Sequence, residues 1–304
     1  MPRVHRLLAL LLVLFCGISF ASDNRFIRLD PVIINTRIQG APREFDQRLA
    51  MLKNNFQSAG CKPEQITEQA VPGQTLPNLF CTLPGKEEGT IVIAARFDFK
   101  SKGNELKVDS ATLNLLPLLV QSLYTTGRRY TFVFAAFTGY ERRVGSAYYL
   151  SQLTDAQKKA MRGMVFLDHL GRTPVHYMFP AQWNDSNIAA ISRDVTETNF
   201  GGKRSTHPDN VLRRQFSRAA KDVNQGDPDE LSEFFFTDAL NFEHANVMAL
   251  TLSSPAYGII VRDFGQMEIK MPRTELDIRT YYETYNLLCI YSLYLDNTLA
   301  AGKY

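Results

Sequence analysis

Arg96 and Asp98 follow one apolar run, Asp168 ends another, and Asp109 opens the helix after the first, all places where an open α/β sheet gathers its working groups. Carboxylates that converge in this way can hold a divalent cation, and a cation so held activates water or polarises a carbonyl. That chemistry needs about three neutral or anionic ligands, an open coordination position and a carboxylate acting as base. Arg96 offers none of these, because a guanidinium keeps its proton and has no lone pair. Two facing carboxylates without a cation repel, and one of them takes up a proton. We therefore expect the planar fork of Arg96 to bond both Asp109 and Asp168, with an outward-pointing Arg96 as the alternative.

Histidine argues against a relocated metal site. Beyond residues 1–21 the chain has only His169, His176, His207 and His244, with neither His-x-x-x-His nor Cys-x-x-Cys spacing. His169 follows Asp168 directly and in a strand should face away from it. His207, beside Pro208, is the one candidate migrant ligand, against a plain surface role. A Gly-x-Ser-x-Gly elbow, a glycine-rich phosphate loop and a dinucleotide fingerprint are all missing from the sequence. Gly145-Ser146 reads as a tight helix start with Ser146 as a cap.

The elements that must position these groups are legible as periodic patterns. Residues 42–60 carry Phe45, Leu49, Leu52 and Phe56 at helical spacing, with Gly60 to end the helix. Apolar runs at 90–95, 130–137, 163–168 and 247–252 read as buried strands. Leucine-rich 109–126 reads as a helix that Pro117 bends or breaks, and 275–300 as a long closing helix. Alternating strands and helices predict an α/β three-layer sandwich, a mostly parallel mixed sheet with helices on both faces. Residues 22–304 form one domain in this reading, with an irregular excursion at 184–236.

With 304 residues, 45% of them hydrophobic, the chain can bury one large core. Residues 1–21 read as a signal peptide: Arg3 and Arg6, an apolar core, then Ala21 after Ser19-Phe20. A membrane anchor is the alternative, although the apolar run is short for a bilayer span. Removing Arg3 and Arg6 lowers the formal charge from +3 to +1, which gives no basis for a nucleic-acid partner. The expected location is periplasmic or extracellular, with no transmembrane segment after signal removal. There Cys61 and Cys81, flanking a Pro/Gly-containing loop, suit a disulfide, and Cys289 suits a buried thiol.

In order and spacing, several segments together resemble the double-zinc aminopeptidase family, whose relatives include glutaminyl cyclases and the non-catalytic ectodomain of nicastrin. Asn78, Leu83 and Gly85 fit that family's Asn-x-x-x-x-Leu-x-Gly, and Arg96-Phe97-Asp98 stands at its His-x-Asp. Leu167-Asp168 with Gly171-Arg172 fits Leu-Asp-x-x-Gly-Arg, and Thr237-Asp238-Ala239 with Phe242 is similar to Ser-Asp-His-x-x-Phe. The resemblance covers residue 78 to the C-terminus.

Carried over position by position, the resemblance implies that Asp109 matches the carboxylate bridging two metals and Asp168 a terminal ligand. Asp98 matches the carboxylate that orients the first histidine, whose place Arg96 has taken. Counting back from Gly145-Ser146, the family's base and adjacent glutamate ligand fall at Gly139 and Tyr140, neither of which carries a carboxylate. The last histidine falls at Lys270. Glu141, one residue on, would supply a single carboxylate only in a remodelled site. Two readings follow. The first is a pseudoenzyme with no metal or other cofactor, holding a peptide or protein in the sheet-end cleft. The second is an active zinc aminopeptidase or glutaminyl cyclase using Asp109, Asp168, Glu141 and an unassigned histidine.

Overall fold

A computed structural model describes residues 26–38, 42–125, 127–179, 211–228, 237–254, 259–262, 266–269 and 275–299. The expected signal peptide at 1–21, His207, Lys270 and most of the 184–236 excursion lie outside the described residues.

Helix α1 (Pro31–Ile38) and helix α2 (Phe45–Ser58) precede the sheet. Helix α2 ends as its sequence requires. Gly60 takes φ +100°, Gly60 N–H donates to Gln57 O and Cys61 N–H donates to Phe56 O. That turn delivers Cys61 to its disulfide partner Cys81, 6.3 Å away between Cα atoms. The bridge ties α2 to strand β2 (Asn78–Leu83), which pairs with strand β1 (Ile66–Gln69).

The central strands are β3 (Thr90–Arg96), β4 (Thr131–Phe137), β5 (Met161–Asp168) and β7 (Ala249–Ser253), with short β6 (His176–Met178) at the far edge. The sheet order is β1-β2-β4-β3-β5-β7-β6. Its four central strands run parallel, and β1, β2 and β6 join antiparallel. Two further strands, β8 (Ile259–Arg262) and β9 (Gln266–Ile269), pair as a separate ribbon.

Period-two alternation sends neighbouring side chains to opposite faces. Phe132, Phe134 and Ala136 of β4 join one core, while Val133, Ala135 and Phe137 join the other. On the first face lie α1, α2, helix α3 (Gly103–Leu123), helix α6 (Val211–Asp222) and helix α8 (Ile278–Thr298). Helix α4 (Val144–Ser151) and helix α7 (Ala239–His244) cover the second, and helix α5 (Asp155–Ala160) leads into β5. The expected mixed α/β sandwich is therefore present.

Three details differ from expectation. Helix α3 begins at Gly103 rather than at 109; before the continuous buried run that starts at Val108, its opening residues offer only Leu106 to the core, too little to mark a helix by periodicity. Pro117 marks no wide turn: the helix runs on through it to Leu123, since packing on both the sheet and its neighbouring helices holds it through the one missing N–H. Ser146 is not the cap of α4: Arg143 occupies that position, and Ser146 Oγ donates back to Arg143 O.

Candidate functional site

From β3 the chain crosses to β4 on one side, and from β4 it returns past β3 to β5 on the other. The carboxyl ends of β3 and β5 therefore flank the point where strand order reverses, the usual place for a site in such sheets. Arg96 ends β3 and Asp168 ends β5. Helix α3 follows β3 and presents Glu105 from its first turn and Asp109 from its second.

Arg96 Nη2 donates to Asp109 Oδ1 at 2.5 Å and lies 3.0 Å from His169 Nε2. The second Asp109 oxygen accepts from Ser101 Oγ at 2.5 Å. Arg96 does not reach Asp168, contrary to the expected double-carboxylate fork. His169 stands there instead, with Nδ1 2.9 Å from Asp168 Oδ1 and Nε2 2.9 Å from Glu105 Oε1. Glu105 also accepts from Arg172 Nη2.

His169 also breaks its expected orientation. Its φ is +47°, so the chain leaves strand geometry at the residue after Asp168 and turns the ring back into the cluster. Leu170 N–H donates to Thr112 Oγ1 at 2.8 Å, tying this turn to α3. Both ring nitrogens face carboxylates, and we assign an imidazolium. Burial disfavours that charge, but Asp168 and its hydrogen bond, together with Glu105, push the pKa up to about 10. For buried Asp168, burial pulls the other way, yet the facing His169 charge holds the carboxyl below the ordinary range. Arg96, His169 and Arg172 thus oppose Glu105, Asp109 and Asp168, three positive groups against three negative.

Asp98 has a different task from orienting a metal ligand. Its Oδ2 accepts from Gly139 N–H at 2.8 Å, and both oxygens accept from Tyr140 N–H at 3.3 Å. Asn78 holds the same turn from beyond, accepting from Thr138 N–H and donating to Gly145 O. Tyr140 is thereby set beneath Arg96, whose guanidinium carbon lies 4.5 Å from the ring centroid. Tyr140 also stacks parallel to Phe166 of β5, with ring centroids 6.4 Å apart. Burial, then Asp168, pushes the Tyr140 phenol well above its ordinary pKa.

Neither Gly139 nor Glu141 brings a carboxylate into the cluster. Gly139 has φ +68°, and a Cβ on it would come within 2.1 Å of Val144 Cγ2. Glu141, the residue reserved for a remodelled site, is 85% exposed and lies 3.9 Å from the exposed Lys100 Nζ. It belongs to a short turn, Tyr140–Arg142, that carries it outward. Asp238, at the start of α7, is fully buried, and among the described residues Ser146 is the one side chain near enough to donate to it, short of good hydrogen-bond geometry. Burial raises its pKa to about 7, with Asp98 and Asp168 adding to the rise.

Glu105 and Arg172 were not anticipated as members of the cluster. Glu105 lies outside the leucine-rich run that marked α3, so helical periodicity gave no sign of it. Arg172 is visible only as the last residue of Leu167-Asp168-x-x-Gly171-Arg172. Behind the cluster, Arg48 of α2 is buried on the otherwise apolar stripe between Phe45 and Leu52.

No family model matches the sequence, and no curated protein matches it. The fold itself has many solved counterparts, and it is that of the zinc aminopeptidases and glutaminyl cyclases. A glutaminyl cyclase from an Acidobacteriales bacterium is similar with a TM-score of 0.60 and 14% identity, over 92% of this chain and 99% of that one. The LapA aminopeptidase of Legionella pneumophila is similar with a TM-score of 0.57 and 12% identity, over 93% and 74%. BSAP, a zinc aminopeptidase from Bacillus subtilis, is similar with a TM-score of 0.50 and 13% identity, over 73% of this chain; the match spans 50% of BSAP.

A fold shared with zinc proteins calls for a test of whether these residues fit the ion. Glu105, Asp109 and His169 each offer a ligand atom, all within 4.8 Å of one another, and the ligand types suit zinc. Their present arrangement does not. Zinc needs the Nε2 lone pair, but Nε2 faces Glu105 as a donor, and a fixed cation lies within 3.0 Å of both Asp109 and His169. The ion could enter only if Arg96 left and His169 lost its proton.

Proposed function

We propose that this chain is an exported, non-catalytic member of the fold, binding a peptide or protein in the sheet-end cleft with Arg96 in the metal's electrostatic role. The observation that carries the reading is the Arg96 guanidinium, hydrogen-bonded to Asp109 and in contact with His169 at the switch point. The loss of carboxylates at Gly139 and Tyr140 supports it, since hydrolysis by this fold needs a base as well as an ion. Export is supported by the Cys61–Cys81 disulfide together with the leader-like sequence of residues 1–21. No helix among the described residues is long and apolar enough to cross a membrane.

Metal analysis of the purified mature protein tests this. The expected result is less than stoichiometric zinc in the wild type and a gain of zinc in Arg96→His, which removes the fixed cation and supplies an imidazole. Stoichiometric zinc in the wild type sinks the reading. A second reading, a zinc-dependent aminopeptidase or glutaminyl cyclase with a rearranged site, is favoured by the Glu105, Asp109 and His169 group. It requires turnover of aminoacyl or N-terminal glutamine substrates that His169→Ala abolishes together with bound zinc.

A further inference from the structure

The direction in which the cluster's hydrogen bonds run points to a ligand class. Among the described residues, its acceptors are occupied: Glu105 by His169 and Arg172, Asp109 by Arg96 and Ser101, and the Asp168 oxygen that faces the ring by His169. Donors remain. A guanidinium carries five N–H bonds, and among the described residues Arg96 donates only from Nη2, to Asp109 Oδ1, while that nitrogen also lies against His169 Nε2. Its Nε–H and both Nη1–H find no acceptor among the described residues, although the side chain is only 16% exposed. The Tyr140 hydroxyl, beside it in the same stack, makes no hydrogen bond among the described residues. With its high pKa it stays protonated and able to donate.

A half-buried cation with unused donors, next to a phenol with an unused donor, is a receptor for an acceptor group. We propose that the cleft takes a carboxylate, from a peptide C-terminus or an acidic side chain, on Arg96 Nε and Nη1 and the Tyr140 hydroxyl. An ammonium finds no such reception at Glu105, Asp109 or the ring-facing oxygen of Asp168, which are already paired, and Asp238 is fully buried. The cleft thus has the opposite polarity to one that holds a cation with its acidic groups. This inference rests on the reading that Arg96, and not an ion, sits among Asp109 and His169. Charge-assisted hydrogen bonds of this kind are the stronger ones, and excluded water strengthens them further.

Two small probes of opposite character test it: N-acetylglycine, a carboxylate without an amine, and glycinamide, an amine without a carboxylate. Titration of the mature protein, followed by NMR of the Arg96 Nε–H and the Tyr140 ring, is expected to show saturable shifts with N-acetylglycine only. Arg96→Met is expected to weaken that binding about tenfold or more, and Tyr140→Phe, which keeps the ring and its packing, several-fold. Shifts from glycinamide alone, or N-acetylglycine binding that is unchanged in Tyr140→Phe and in Arg96→Met, overturn the inference. Repeating the titration after chelation separates it from the function proposed above. Binding that survives chelation supports the Arg96 receptor, whereas binding that disappears with removed zinc overturns it along with the non-catalytic reading. Stoichiometric zinc with carboxylate binding that survives its removal would sink only the latter.

Discussion

Arg48 and Arg96 are two arginines that lean on the same short loop, and their hydrogen bonds are distributed in opposite ways. Arg48 is 1% exposed and touches no carboxylate. Its Nη1 donates to Phe97 O and Phe99 O, its Nη2 to Pro42 O and Arg43 O, and its Nε to Pro42 O. The Phe99 ring lies flat against it, 3.7 Å from ring centroid to guanidinium carbon. Every donor is used, yet with no carboxylate in contact burial dominates and lowers its pKa to about 10. Arg96 opposes the same burial with Asp109 and Asp168, its pKa is raised, and part of its fork is left unused. A saturated arginine is a strut, while an unsaturated one at a sheet switch point is a receptor.

The comparison breaks first at Arg48. Its clamp fixes the carbonyls on either side of Asp98, and Asp98 in turn holds Gly139 and Tyr140. Arg48→Met leaves these buried carbonyls without donors and should cost about 3–4 kcal/mol in urea unfolding. Arg48→Lys should restore little, because a point cation cannot reach carbonyls on both sides of the loop. Arg96→Met removes one strong bond to Asp109 while Ser101 still serves that carboxylate, so about 1–3 kcal/mol is expected. If Arg96 proves the more costly of the two, the assignment of strut and receptor is reversed.

What the sequence reveals of this arrangement depends on burial and on local backbone geometry. The parallel strands are plain because both faces are covered, giving unbroken apolar runs such as Ile91 to Ala95. The edge strands β1 and β6 are four and three residues long, too short for a periodic signal to separate them from loop. Arg96, Asp109 and Asp168 could be placed together because each sits at an element that hydrophobic patterning locates. Glu105 could not, since it precedes the apolar stripe of its own helix. His169 could not either, because nothing in Leu167-Asp168-His169-Leu170 announces a residue with φ +47°. Arg48 left a faint signal, a cation at a stripe position three residues after Phe45 and four before Leu52, where solvent could not receive it.

The imidazolium of His169 offers a smaller effect with a definite sign. Its pKa is raised in the folded protein, from 6.5 to about 10. Its contribution to stability is therefore complete below about pH 6.5 and is lost progressively as pH rises towards 10. Wild type should exceed His169→Gln by about 2 kcal/mol at pH 6, and the gap should narrow steadily up to pH 10. Unfolding curves for the two proteins across that range measure it directly. A gap independent of pH would mean that the ring is neutral, with Arg96 donating to its Nε2.

Glu141 should give the smallest effect and bears most directly on catalysis. It is the carboxylate nearest in sequence to Gly139 and Tyr140, yet it is exposed, and Lys100, which faces it, is exposed too. A pair in that setting contributes little, because water screens it and two flexible side chains must be ordered to form it. Glu141→Gln should change stability by less than about 0.5 kcal/mol and leave both zinc content and carboxylate binding as in the wild type. Glu105→Gln, by contrast, should weaken the hold on both His169 and Arg172. If Glu141→Gln instead removes a peptidase or cyclase activity, the turn at Tyr140–Arg142 must swing inward in the working state. The cluster around Arg96 would then be a resting arrangement of an enzyme rather than the receptor of a binding protein.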